Sequence, residues 1–150
     1  MYFNSEVEMM EGKFIIASGP VIIEDGKLLV NKDDKDEFYK LPGGTIKEGE
    51  ELEDACIRKV KEEINGEIEI IKPLYPKVLW ENPTTKEKMT IVLINYLAKL
   101  LNKNEIKPIP PTREIKWIDI EEIKKGKHNV SPNTRALIEK LDKKSLEGIK

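Results

Sequence analysis

The stretch KFIIASGPVIIEDGKLLVNKD, residues 13–33, constrains the fold more than any other. Two runs rich in Val, Ile and Leu flank the pair Asp25-Gly26. A two-residue Asp-Gly connection between such runs is a strong local signal for a hairpin, because both residues tolerate the left-handed backbone of a tight turn. The chain therefore commits to antiparallel strands near its start.

Further along, FYKL (38–41) reads as a third short extended run, stopped by Pro42-Gly43-Gly44. From Glu51 to Ile64 the spacing turns helical, with Leu52, Ala55, Cys56 and Val60 on one apolar stripe. Asn65-Gly66 then supplies residues that close a helix in the left-handed conformation. EIEIIKPLYPKVLW and KMTIVLINYLAKLL are both rich in β-branched residues and are parted by the polar loop ENPTTKE. REIKWIDI is a further strand candidate, running into the polar segment EEIKKGKHN. SPNTRALIEKLDKK begins as a helix should, with Ser131 to cap and Pro132 at the first helical position. The order ββ(β)αββ(β)α predicts an α/β (α+β) fold: a mixed β-sheet covered by helices, in one domain over residues 1–150. Residues 1–12 suit either a frayed tail or an exchanged strand, which leaves a homodimer open.

Composition narrows the function classes. Hydrophobic residues make up 39% of the 150, enough for a core, and 36% are charged. The net charge of −2, with Lys and Glu mixed along the chain, argues against a dedicated nucleic-acid binder. The single cysteine, Cys56, excludes an internal disulfide framework and suits a reducing compartment. The N-terminus lacks the apolar core of a signal peptide, and the apolar runs fall short of a membrane span. A soluble cytoplasmic protein is the expectation.

The chemistry concentrates in LPGGTIKEGEELEDACIRKVKEEING, residues 41–66. Arg58, Lys59, Glu62 and Glu63 share one side of the helix, opposite most of the apolar stripe, with Lys59 between the two carboxylates. Adjacent carboxylates beside a glycine turn are what Mg²⁺ prefers: hard oxygen ligands, with water and substrate phosphate completing the shell. The competing reading is a solvated face, on which Arg58–Glu62 and Lys59–Glu63 form i,i+4 ion pairs.

Read together, Gly44, Glu50, Arg58, Val60, Glu62 and Glu63 resemble the signature box of the Nudix hydrolases. That box runs Gly, five residues, Glu, seven residues, Arg-Glu, an aliphatic, any residue, Glu-Glu, any residue, Gly, an aliphatic. The LPGG lead-in, Tyr39, the LEDACIRKVKEE helix and TREIKWIDIEEI are similar to the family pattern as well. The resemblance implies a Nudix-like α/β/α sandwich and Mg²⁺-dependent (or Mn²⁺-dependent) hydrolysis of a nucleoside diphosphate linked to another group. That group could be a sugar, an ADP-ribose-like moiety, a second nucleotide or further phosphate. It implies that Glu62, Glu63 and the Gly43 carbonyl hold metal, and that Gly44, Glu50 and Arg58 support the site. A base from beyond the box falls to Glu114 or Glu105.

The chain departs from the box at Lys59, where a glutamate is expected, and at Asn65-Gly66, where Gly-aliphatic is expected. An ammonium between two carboxylates competes with a cation. The alternative reading is thus a nucleotide- or partner-binding module of the same fold with weak or no hydrolysis.

Other residues weigh less. His128 beside Ser131 lacks any nucleophile elbow and reads as surface, with Ser131 as a cap. Cys56 reads as packing and Tyr96 as core, while Tyr75 and Trp80 suit either stacking on a base or a core or edge position.

Overall fold

A computed structural model describes residues 12–141. Of the N-terminal stretch 1–12, all but Gly12 lies outside the described residues. The hairpin forms where the Asp-Gly pair predicts it: β1 (Phe14–Glu24) and β2 (Lys27–Asp33) are antiparallel, with Glu24 opposite Lys27. Asp25 and Gly26 both take positive φ, 51° and 73°, as a two-residue turn of matching twist requires.

The other strands are β3 (Gly44–Thr45), β4 (Ile68–Pro73), β5 (Lys77–Glu81), β6 (Lys88–Leu100) and β7 (Thr112–Asp119). They join in the order β4-β6-β1-β2-β7, with β3 on β1 and β5 on β6. β1 and β6 run parallel and every other pair is antiparallel, so the sheet is mixed.

The pleat of the central strands sorts the core into two layers. Ile22 and Leu29 point to one face, where they meet Cys56, Val60 and Ile64 of α1 (Leu52–Ile64). Val21, Ile23, Leu28 and Val30 point to the other and pack with Ile123 of α2 (Ile120–Lys124) and Ile138 of α3 (Pro132–Lys140). Helices thus cover both faces, which makes the α/β/α sandwich. Asn65 closes α1 at φ 56°, and Ser131 accepts the Thr134 N–H at the start of α3.

Three local expectations change. FYKL is not a sheet strand: Tyr39 and Lys40 make only isolated bridges, and the third strand is Gly44–Thr45 instead. EIEIIKPLYPKVLW divides into β4 and β5 around Pro73 and Pro76, since proline cannot donate to a ladder. The polar segment after β7 opens with a short helix, because Asp119 accepts the Glu122 N–H. Among the described residues no helix is long and apolar enough to cross a membrane.

Candidate active site

α1 carries its charged face past the loop that leads into it. Arg58 Nε and Nη2 donate to the two oxygens of Glu50 at 2.7 and 2.9 Å, and Nη2 also reaches the Thr45 carbonyl at 3.2 Å. The Lys47 N–H adds a bond to Glu50 at 2.9 Å. With the guanidinium as main cause, the Glu50 carboxyl falls to about 2. Loop and helix are therefore braced together, two residues short of the first helical turn at one end and in its middle at the other.

Glu62 and Glu63 stand in different surroundings although they are neighbours. Glu62 is exposed; Arg58 Nη1 lies 3.1 and 3.2 Å from its two oxygens, and Lys59 Nζ lies 3.6 Å away. These cations, Arg58 first, hold its carboxyl below the usual range. Glu63 turns inward, accepting the Gly43 N–H at 2.8 Å and facing the Asn31 amide at 3.5 Å. Burial pushes its pKa up, against the pull of the Gly43 N–H and the charges of Lys59 and Lys40. The i,i+4 pair expected between Lys59 and Glu63 does not form; the lysine reaches Glu62, and a backbone N–H takes its place on Glu63.

The turn holds this geometry because glycine lets two backbones touch. Gly43 has φ 135°, and a Cβ there would lie 2.5 Å from the Ser18 carbonyl oxygen. A Cβ on Gly19 of β1 would lie 2.1 Å from the Pro42 carbonyl oxygen. Alongside runs a cleft of about 200 Å³, lined among others by Lys40, Gly43, Gly44, Phe38, Leu79 and Asn82.

Lys40, Asp33, Asp36 and Asn31 belong to this region and were not singled out by sequence. Lys40 Nζ sits 2.9 Å from Asp33 and 3.0 Å from Asp36. Asn31 stands where the apolar run Leu28-Leu29-Val30 of β2 gives way to Lys32 and Asp33. Its side chain is fully buried and its Oδ1 has no hydrogen-bond partner.

Glu114 is not brought to the carboxylates. On β7, Ile115 and Trp117 face α1, so Glu114 faces the opposite side of the sheet, where it accepts the Tyr39 hydroxyl. Glu105 follows β6, exposed, with bonds to Asn102 and Asn65. His128 pairs with Glu122 at 2.7 Å, not with Ser131, whose hydroxyl meets Thr134. Cys56 is fully buried and its thiol is pushed up to about 12, so it is unreactive. Tyr96 is buried, whereas Tyr75 and Trp80 are exposed.

Among the described residues no three Asp, Glu, His or Cys side chains converge as a metal cluster. The donors at the turn are the carboxylates of Glu62 and Glu63 and the backbone carbonyl of Gly43. All are hard oxygens, and the orphaned Asn31 Oδ1 beside Glu63 adds a buried acceptor without a donor. This set fits a single divalent cation of the Mg²⁺ kind, which keeps several waters and completes its shell with phosphate.

Comparison with known proteins follows the same line. The family model described as NUDIX domain matches residues 15–141. Among solved structures, a MutT NUDIX hydrolase from Burkholderia pseudomallei aligns with a TM-score of 0.70 and 19% identity, over 87% of this chain and 100% of that one. A MutT protein from Methanosarcina mazei Go1 also gives 0.70, at 20% identity over 87% and 94% of the two chains. An ADP-ribose pyrophosphatase from Streptococcus suis 89-1591 gives 0.61, at 18% identity over 83% and 87%. Comparison with curated proteins gives no match.

Proposed function

Because the chain belongs to the NUDIX family and is a Nudix-type hydrolase, we propose that it is a pyrophosphohydrolase cleaving a nucleoside diphosphate linked to another moiety. Nucleotide sugars, ADP-ribose-like compounds, dinucleotides and nucleoside triphosphates form the candidate class. The observation that carries this reading is Glu63, turned inward and pinned by the Gly43 N–H at 2.8 Å beside the cleft. A carboxylate fixed to a glycine turn that lines a cleft suits a cation–diphosphate contact.

Glu62, Glu63 and the Gly43 carbonyl would hold Mg²⁺ or Mn²⁺. Once bound, such an ion neutralises phosphate oxygens and lowers the pKa of an attacking water. The chain's own part is positional. Gly43 and Gly44 give a diphosphate access to backbone without side chains in the way. Glu50 and Arg58 are support: their paired bonds keep the loop on the helix, and Arg58 orients Glu62 through its third nitrogen. A single domain working in the cytoplasm on a small nucleotide, rather than on nucleic acid, agrees with the near-neutral charge and single cysteine.

The test is a panel of nucleoside diphosphate derivatives incubated with Mg²⁺ or Mn²⁺, following release of phosphate and nucleotide. Turnover of at least one class, abolished in Glu63→Gln, is expected. Binding without turnover of any member would replace the hydrolase reading with a nucleotide-binding module.

A further inference from the structure

The cations around Glu62 and Glu63 are engaged to different degrees. Arg58 spends its guanidinium on Glu50, Glu62 and the Thr45 carbonyl. Lys40 is clamped between Asp33 and Asp36. Among the described residues Lys59 has one ion-pair partner, Glu62, at 3.6 Å, longer than a hydrogen bond, so that contact does not saturate its three N–H donors. Its charge bears on both carboxylates, Glu62 and Glu63 alike.

Position decides what those donors can meet. The end of the Lys59 side chain lies against Gly44: a Cβ built there would be 2.7 Å from its Cε and 3.2 Å from its Nζ. Gly44 lines the cleft. Glycine at this position therefore makes the room in which the ammonium sits, against the half-buried backbone of a residue that itself lines the cleft. The lysine is mostly covered along its stem, with 23% of the side chain exposed, so it is placed rather than trailing in solvent.

We propose that Lys59 is a direct contact for the diphosphate group of the substrate. An ammonium is a point cation with rotatable donors, a chemistry that binds phosphate without needing a fixed bidentate geometry. It supplies in the chain itself part of the charge neutralisation that a divalent ion would otherwise supply alone. The site then has affinity for a diphosphate before any metal enters. This deepens the pyrophosphohydrolase reading and rests on it for the placement of substrate.

The experiment is calorimetric binding of α,β-methylene-ADP, which is not cleaved at the bridged position, and of inorganic pyrophosphate, both in EDTA. Wild-type protein is expected to bind both without metal, with affinity falling as salt rises. Lys59→Gln should weaken binding about tenfold or more, the loss of one charge-assisted contact, and Lys59→Arg should keep part of it. Thermal melting checks that each variant is folded, and Lys59→Met replaces any that is not. A second readout is Mn²⁺ binding by electron paramagnetic resonance without nucleotide: Lys59→Glu should bind Mn²⁺ more tightly than wild type. Absence of metal-free binding in wild type, or unchanged affinity in Lys59→Gln, overturns the proposal. Metal-dependent turnover by a protein that shows no metal-free binding defeats Lys59 alone. Metal-free binding with no turnover defeats the hydrolase reading and leaves Lys59 standing.

Discussion

Replacing Gly19 with alanine adds one methyl group to β1, three strand residues from the Ile22 core position and on no charged group at all. The new Cβ would stand 2.1 Å from the Pro42 carbonyl oxygen and 3.0 Å from the Gly43 Cα. Ordinary contact begins near 3.4 Å, so the two backbones must separate by about 1.3 Å. β1 cannot yield easily, since it is paired with β6 along nine residues including Gly19 itself. The turn yields instead, and it carries the Gly43 N–H that holds Glu63 at 2.8 Å. A displacement of that size breaks a hydrogen bond. The strain should destabilise the protein by about 1–3 kcal/mol, as overpacking does. The displaced turn should lower kcat/KM about 100-fold, the usual consequence of misplacing a reacting constellation by about 1 Å. Urea unfolding and the phosphate-release assay measure the two effects on one preparation. Wild-type stability would refute the close approach of the backbones. Lost stability with wild-type turnover would refute the link between turn position and site.

Other outcomes follow from the same geometry. Glu63 has a folded-state pKa raised by burial, so its ionisation opposes folding as pH rises above the ordinary 4.5. Glu63→Gln should therefore gain stability over wild type near about pH 7 and not near about pH 4, while losing activity; equal midpoint shifts at both pH values sink the assignment. Glu50 has the opposite sign: held at about 2, its contribution is present above 4.5 and is lost as pH falls through about 2. Glu50→Gln should flatten the acid limb of stability between those values, seen as urea midpoints that change less than wild type between about pH 5 and about pH 3. Ser131→Ala should cost about 0.5–2 kcal/mol in thermal or urea unfolding, because it removes the acceptor of the Thr134 N–H at the start of α3.

What the sequence made legible was local or periodic. The Asp25-Gly26 turn, the α1 stripe and the Ser131 cap each depend on residues within a few positions of one another, and each stands where expected. The same holds for Arg58 and Glu62, one helical turn apart. Contacts made across the fold were not legible. Nothing near Asn31 in the chain announces Glu63, 32 residues away, and nothing singles out Asp33 and Asp36 as the clamp on Lys40. The face that Glu114 takes was hidden for a related reason: strand parity decides it, and the parity of β7 follows from pairing with β2. Lys59 was visible as a departure, but its contact with Gly44 required the turn to be folded over the helix.

The parallel pairing of β1 with β6 joins residues 76 apart at every step, from Phe14 with Thr90 to Ile22 with Ala98. The hairpin turn, the glycine turn, α1 with Glu62 and Glu63, β4 and β5 lie inside the loop that this pairing closes, while Ser131 and Asn133 of the cleft wall follow it. At ribosomal speeds of about 5–20 residues per second, β1 waits roughly 4–15 s for its partner to be made. During that interval β1 has only its earlier partners: β2, across two residue pairs, β3, across two more, and α1, which covers Ile22. The dense Lys and Glu around these strands then serves a nascent chain as much as a finished one, keeping an unpaired strand from neighbours on the same message. A chain released before Lys88 would hold the whole box sequence and still lack β6, the parallel partner of β1.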